Sequence, residues 1–250
     1  MEKLFIPGRN GYDIPVLLHE EPEAGTAVVV THGFGSDKYS ATARRMQAAL
    51  AEKGAASVAL DLPAHGESPV DGRFLTVENA INDIAAAEEL LRSRLPRARI
   101  AFFGSSFGAY LTALYLAKRP LQLTPPRAVL RCAALTMPRL LKDELTPAQK
   151  EQLRAGQDLL LPGYEPPLLL TQAFLDSLNA HDPFAECRSR MADVLLIHGT
   201  ADEVAPIGQA RRFSRRFGYP LLTIEGADHR FQGPGQMDRL VEAAVEHICS

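Results

Sequence analysis

The sequence predicts an α/β fold, a mostly parallel eight-stranded sheet with helices on both faces and a short helical lid insertion. Short apolar runs alternate with longer stretches of helical period, the pattern of parallel strands joined by crossover helices. The first residues read as an antiparallel hairpin at one edge. One proline-rich stretch in the second half breaks the alternation, which places an insertion there.

In chain order, Lys3 to Pro7 and Tyr12 to His19 are predicted to pair across Gly8-Arg9-Asn10-Gly11, because Asn-Gly favours the tight turn that reverses a strand. Strands are expected at Ala27 to Thr31, Ser57 to Asp61, Arg99 to Phe103 and Ala128 to Ala133. Between them Ala41 to Lys53, Val77 to Leu95 and Phe107 to Lys118 carry apolar residues at helical spacing, each long enough for a right-handed crossover. Later come a strand at Asp193 to Ile197, a helix from Ile207 to Arg216, a strand near Leu221 to Ile224 and a final helix from about Gln236 to Ile248.

Residues 136–183 break the rhythm. They hold Pro138, Pro147, Pro162, Pro166 and Pro167 with two leucine triplets, Leu159 to Leu161 and Leu168 to Leu170, and show no clear strand. Short helices are expected there. Residues 1–250 are read as one domain with this insertion inside it.

The 250 residues are 46% hydrophobic, enough for a sizeable core, and carry a net charge of -3 without a block of like charge. That balance points away from nucleic acid and from acidic membranes, and toward a small-molecule partner. The opening residues lack the regions of a signal peptide, and no apolar run approaches the ~20 residues of a membrane span, so a cytoplasmic protein is expected. Cys132, Cys187 and Cys249 are too few and too scattered for a disulfide framework or a cysteine metal site. A homodimer is compatible with the sequence.

The chemistry centres on Gly104-Ser105-Ser106-Phe107-Gly108, a G-x-S-x-G pentapeptide with the buried run RIAFF before it and a helical segment after it. Strand, sharp turn and helix in that order would hold the Ser106 hydroxyl clear of the sheet at a helix N-terminus, where a developing anion is favoured. A glycine-flanked turn with an idle serine is the competing reading of the pentapeptide alone. A serine hydroxyl needs a base, and the base needs an orienting group.

His229, in the loop after the last expected strand, fits the base; His19, His181 and His247 are read as ordinary polar residues. Asp202 follows the run DVLLI and fits the acid, ahead of Glu203 beside it and Asp228, which is expected to point away. In the chain these residues come in the order Ser106, Asp202, His229. Upstream, His32-Gly33-Phe34-Gly35 follows a strand, and the backbone N–H groups of Phe34 and Phe107 would form an oxyanion hole.

With those parts in place the chain resembles the α/β-hydrolase superfamily over essentially its whole length. Asp61-Leu62-Pro63-Ala64-His65-Gly66-Glu67-Ser68 is similar to the D-x-x-G-x-G-x-S stretch of many members, with His65 read as structural. The size, the HGFG loop and the insertion look most like small bacterial carboxylesterases of the cinnamoyl (feruloyl) esterase type, relatives of the serine aminopeptidases and monoacylglycerol lipases. Those esterases commonly carry histidine before the nucleophile and glutamine with a further glycine after it; this chain has Ser105, Phe107 and Ala109.

The resemblance implies a serine esterase that works through an acyl-enzyme on Ser106 and requires no metal or organic cofactor. A peptidase, an acyl thioesterase, a perhydrolase or an acyltransferase would use the same triad, whereas a non-catalytic binding protein on this scaffold would be expected to lack one of its members. The insertion is expected to cap Ser106, with Tyr164 and Asp143, next to Lys142, as candidate substrate contacts.

Overall fold

A computed structural model describes all 250 residues, Met1–Ser250. The N-terminal hairpin forms as expected: β1 (Glu2–Pro7) pairs antiparallel with β2 (Asp13–His19), and Gly11 takes a φ of 82° in the turn between them. The remaining central strands are β3 (Thr26–Thr31), β4 (Ala56–Leu60), β5 (Arg99–Ser105), β6 (Arg127–Arg131), β9 (Asp193–Gly199) and β10 (Leu221–Ile224), with β7 (Leu159–Leu161) and β8 (Leu168–Leu170) in the insertion. The eight-stranded sheet runs β1-β2-β4-β3-β5-β6-β9-β10, antiparallel from β1 through β4 and parallel beyond. All residues of β3 and β4 are buried, which is why they read as unbroken apolar runs rather than alternating ones.

Two strand ends differ from the sequence reading, each for a local reason. β5 runs on through Gly104 and Ser105 because both keep their pairing to Leu130 and Arg131 of β6. β6 stops at Arg131 because Cys132 turns to a φ of 43°, outside strand geometry.

Helices cover both faces. α1 (Ala41–Glu52) and α9 (Gln236–Cys249) pack on one face, around Val28, Val30, Met46, Leu50, Phe103 and Leu240. α2 (Val77–Arg94), α3 (Phe107–Lys118) and α8 (Ile207–Phe217) lie on the other, in the larger core. The caps follow from sequence: Ser40 and Thr76 accept from Ala43 N–H and Asn79 N–H, and Gly218 ends α8 in the left-handed region. α3 is apolar nearly all round, as a helix that starts at the sheet centre and is enclosed on every side must be.

The insertion holds α4 (Met137–Glu144), α5 (Pro147–Arg154) and α6 (Gln172–Asn179), followed by the short α7 (Pro183–Glu186). The expectation of no strand there is corrected: the leucine triplets form an antiparallel pair, β7 (Leu159–Leu161) and β8 (Leu168–Leu170). A run of identical leucines shows no alternation, although Leu159 is buried and Leu160 points out. Prolines at 162, 166 and 167 keep the segment between the triplets from continuing as helix. Leu141, Leu145, Leu153, Leu168, Leu170, Phe174 and Leu178 pack into the larger core, so most of the insertion's apolar residues hold it to the body.

The hairpin is fastened to α2 by a buried polar contact: Tyr12 Oη donates to Asp83 Oδ2 at 2.9 Å. Burial pushes the Asp83 carboxyl up to about 7, against the opposing effect of the Tyr12 and Asn10 hydrogen bonds. The native state therefore keeps this proton at pH values where the unfolded chain, with an ordinary carboxyl, has lost it. Stability from this site is full below about pH 4 and is lost as pH rises through 7. Asp83→Asn keeps an acceptor for Tyr12 and removes the charge. Urea unfolding at pH 5 and pH 8 is expected to show a flatter pH dependence for the variant and a gain over the natural chain of more than about 1 kcal/mol at pH 8.

Candidate active site

Ser106 occupies the turn between β5 and α3 with φ 55° and ψ −114°, a strained backbone for a residue with a Cβ. The turn is held from several sides. Ser106 N–H donates to the Arg131 carbonyl at 2.8 Å, and its own carbonyl accepts from Ala109, Tyr110 and Ala134. The flanking glycines are there for space: a Cβ on Gly108 would lie 2.3 Å from the His32 carbonyl oxygen, and one on Gly104 would lie 2.7 Å from Ala109 Cα. The pentapeptide thus allows α3 to approach β3 and β5 at backbone contact.

The loops after β9 and β10 bring the other two residues to Ser106. Ala201 N–H donates to the Ala227 carbonyl at 3.0 Å and Gly226 N–H to Thr200 Oγ1 at 2.8 Å. Gly199 makes this approach possible, since a Cβ there would meet the Ala227 oxygen at 2.2 Å. His229 Nε2 lies 3.1 Å from Ser106 Oγ, and its Nδ1 lies 2.9 Å from Asp202 Oδ2 and 3.0 Å from Oδ1. Three residues far apart in the chain form one hydrogen-bonded line. With Nδ1–H donating to the carboxylate, Nε2 is left as the acceptor facing the hydroxyl.

Asp202 is completely enclosed, its side chain 0% exposed. Its Oδ1 accepts Val204 N–H at 3.0 Å and Ala205 N–H at 2.8 Å, while His198 Nε2 lies 3.2 Å from Oδ2. Burial alone would raise its pKa, but hydrogen bonds from His198, His229 and Cys132 outweigh it and hold the carboxyl far below the usual range.

On the other side of Ser106, the loop after β3 comes close because Gly33 lacks a side chain; a Cβ there would sit 3.2 Å from Ser106 Cβ. His32 braces this loop: its Nε2 accepts Leu62 N–H at 3.0 Å and its Nδ1–H donates to the Gly33 carbonyl at 2.8 Å. Burial pushes the His32 pKa down to about 4, so the ring is neutral. Lys38 and Asp61, both fully enclosed, add an ion pair at 2.5 Å between the same two loops. Neither the Phe34 nor the Phe107 N–H is taken up by a turn or loop hydrogen bond.

Aromatic rings crowd beside this loop. Phe34 stacks on Phe174 at 6.0 Å between centroids and meets Phe107 and Tyr164 edge-on at 5.8 and 5.7 Å. His65 is buried against His32 and Phe34.

Ser106, Asp202 and His229 are thus brought together, and Tyr164 stands at the Phe34 ring. Asp143 does not join them: it lies on the exposed side of α4, paired with Arg139, and Lys142 reaches Asn179 instead. Glu203 is exposed, and Asp228 caps its own loop by accepting Gln232 N–H. His181 sits between Glu78 and Glu186, and His247 lies against the Asp193 carbonyl. Sequence reasoning missed His198, Cys132 and Arg131. His198 had a visible signal, its place in β9 four residues before Asp202; Arg131 ends β6, Cys132 follows it, and both meet the site only through strand order.

The model of the family described as "Serine aminopeptidase, S33" matches residues 22–173, more than half of the chain. The chain belongs to this family. The match covers Ser106 and the loop after β3, while Asp202 and His229 lie beyond it, so their place beside Ser106 rests on the geometry above. No curated protein sequence matches the chain significantly.

Among solved structures, this S33-type chain is similar to a hydrolase from Agrobacterium vitis at a TM-score of 0.82, with 20% identity over 99% of this chain and 98% of that one. It is similar to Est1E of Butyrivibrio proteoclasticus, solved with ferulic acid bound, at 0.81, with 20% identity over 99% and 100%. Mouse α/β-hydrolase domain-containing protein 10 follows at 0.79, with 17% identity over 100% and 99%. The fold is that of the α/β-hydrolases, and the chain is a hydrolase with a triad-like Ser-His-Asp arrangement. No helix is long and apolar enough to cross a membrane.

Proposed function

We propose that the protein cleaves carboxylic esters through an acyl-enzyme on Ser106. The observation that carries this reading is the line from Ser106 Oγ through His229 to Asp202, at 3.1 and 2.9 Å. His229 Nε2 takes the hydroxyl proton as Oγ attacks the ester carbonyl, and the imidazolium is stabilised by the Asp202 carboxylate. The carbonyl oxygen, now anionic, is received by the Phe34 and Phe107 N–H groups. His229 returns the proton to the departing alcohol; water, deprotonated by the same nitrogen, then releases the acid and frees Ser106.

The chain acts as one catalytic domain, with residues 136–183 as its lid and the Tyr164 and Phe34 rings bordering the acyl site. An aromatic or aliphatic acyl group suits that border, and Est1E, whose fold this chain shares, was solved with an aromatic acid bound. Three unpaired thiols, two of them buried, fit a cytoplasmic protein. A second reading, hydrolysis of N-terminal peptide bonds, draws on the description of the family. The two separate on a panel of p-nitrophenyl esters, aminoacyl anilides and acyl thioesters. Turnover of the esters is expected to exceed that of the anilides by orders of magnitude, and anilides turned over faster than esters would overturn the ester assignment.

A further inference from the structure

Arg131 is the last residue of β6 and is only 4% exposed. A guanidinium so enclosed normally meets a carboxylate. Here Nη1–H donates to Ser105 Oγ at 2.9 Å and Nη2–H donates to the His229 carbonyl. Its Cζ lies over the Phe231 ring, 4.9 Å from the centroid, and the Nε–H finds no acceptor. Phe231 itself has a φ of 57°, a strained turn two residues beyond His229. The Arg131 main chain holds the other side, since its carbonyl takes the Ser106 N–H.

One residue therefore touches the residue before the nucleophile, the nucleophile's own backbone, and two positions of the loop that carries the base. No carboxylate touches the guanidinium, Asp202 and Asp228 acting on it only at longer range, so its enclosure is unfavourable, and an apolar residue of similar size would fill the space against Phe231 without that penalty. What such a residue cannot do is join two segments by a fork of directed N–H donors. Ser105 supplies the hydroxyl that one arm of the fork meets.

We propose that Arg131 is a positioning residue, whose buried guanidinium fastens the His229 loop to the end of β5 and so sets the distance between His229 Nε2 and Ser106 Oγ. The inference rests on the reading of Ser106 and His229 given under Proposed function. Its effect falls on the chemical step, because a displacement of about 1 Å at the reacting atoms is enough to cost about 100-fold in rate.

The test is the rate at which a fluorophosphonate labels Ser106, mapped by peptide mass, together with kcat and KM for p-nitrophenyl acetate, in Arg131→Met, Arg131→Lys and Ser105→Ala. Arg131→Met is expected to slow both labelling and kcat about 100-fold with KM nearly unchanged. Arg131→Lys, which keeps the charge and can reach one acceptor, falls between it and the natural chain. Ser105→Ala removes one acceptor and is expected to slow labelling by about tenfold, with the double variant no slower than Arg131→Met alone.

Labelling and kcat unchanged in Arg131→Lys and Ser105→Ala would overturn the inference even if Arg131→Met failed to fold. So would an Arg131→Met protein that loses thermal stability but labels at the natural rate. Label found elsewhere than Ser106 in the natural chain would overturn the reading of the site itself, and this inference with it.

Discussion

Ser106→Ala is expected to lower kcat for ester hydrolysis by about 10⁶-fold, since no other hydroxyl replaces the one at 3.1 Å from His229 Nε2. The fold has little reason to change. Alanine keeps the Cβ and the backbone bonds to Arg131, Ala109, Tyr110 and Ala134. Only the hydrogen bond to His229 is lost, a cost of about 1 kcal/mol. Circular dichroism and thermal unfolding close to those of the natural chain, with ester turnover at background, is the predicted pair of results. Appreciable turnover in the variant would mean that the nucleophile lies elsewhere.

Asp202→Asn is expected to cost about 10⁴-fold in kcat, and the hydrogen bonds around the side chain explain why. Every partner of this carboxylate donates: Val204 N–H and Ala205 N–H to Oδ1, the His198 and His229 rings toward Oδ2, and the Cys132 thiol. An asparagine amide cannot accept from both sides. With its oxygen left to the backbone N–H groups, its NH₂ faces His229 Nδ1, which must then accept. The proton moves to Nε2, and the nitrogen facing Ser106 is no longer a base.

The same swap sets the amide against His198 Nε2–H, which also donates to the Ala205 carbonyl at 2.7 Å, so a loss of stability of about 1 to 3 kcal/mol accompanies the loss of rate. Steady-state kinetics with urea unfolding separates the two effects. Full activity in the variant would shift the acid to Glu203 or Asp228, although the first is exposed and the second is spent on Gln232.

How much of this was legible in the residues depends on how local each feature is. The strand-turn-helix around Ser106 is spelled out by contiguous residues, RIAFF, then GSSFG, then an apolar helix, and both glycines mark backbone contacts. Asp202 and His229 were readable because each follows an apolar strand at the same edge of the sheet. Arg131 and Cys132 were not, because they reach the site only when β6 lies between β5 and β9, an order that chain sequence does not display.

The insertion was harder for a different reason. Leucine favours helix as a single residue, and three in a row carry no period, so the β7–β8 pair emerges only from the prolines between them and the core beneath. Asp143 looked available in sequence for a polar substituent, yet the helical period of α4 turns it outward beside Arg139.

Ser106 is the activated nucleophile of the proposed reaction. Reaction of the natural chain with a fluorophosphonate, followed by peptide mapping, tests this most directly. A single adduct on the peptide carrying Ser106, formed at a greatly reduced rate in Asp202→Asn and absent in Ser106→Ala, is the result predicted. An adduct on another residue, or ester hydrolysis that continues after Ser106 is fully modified, would contradict it.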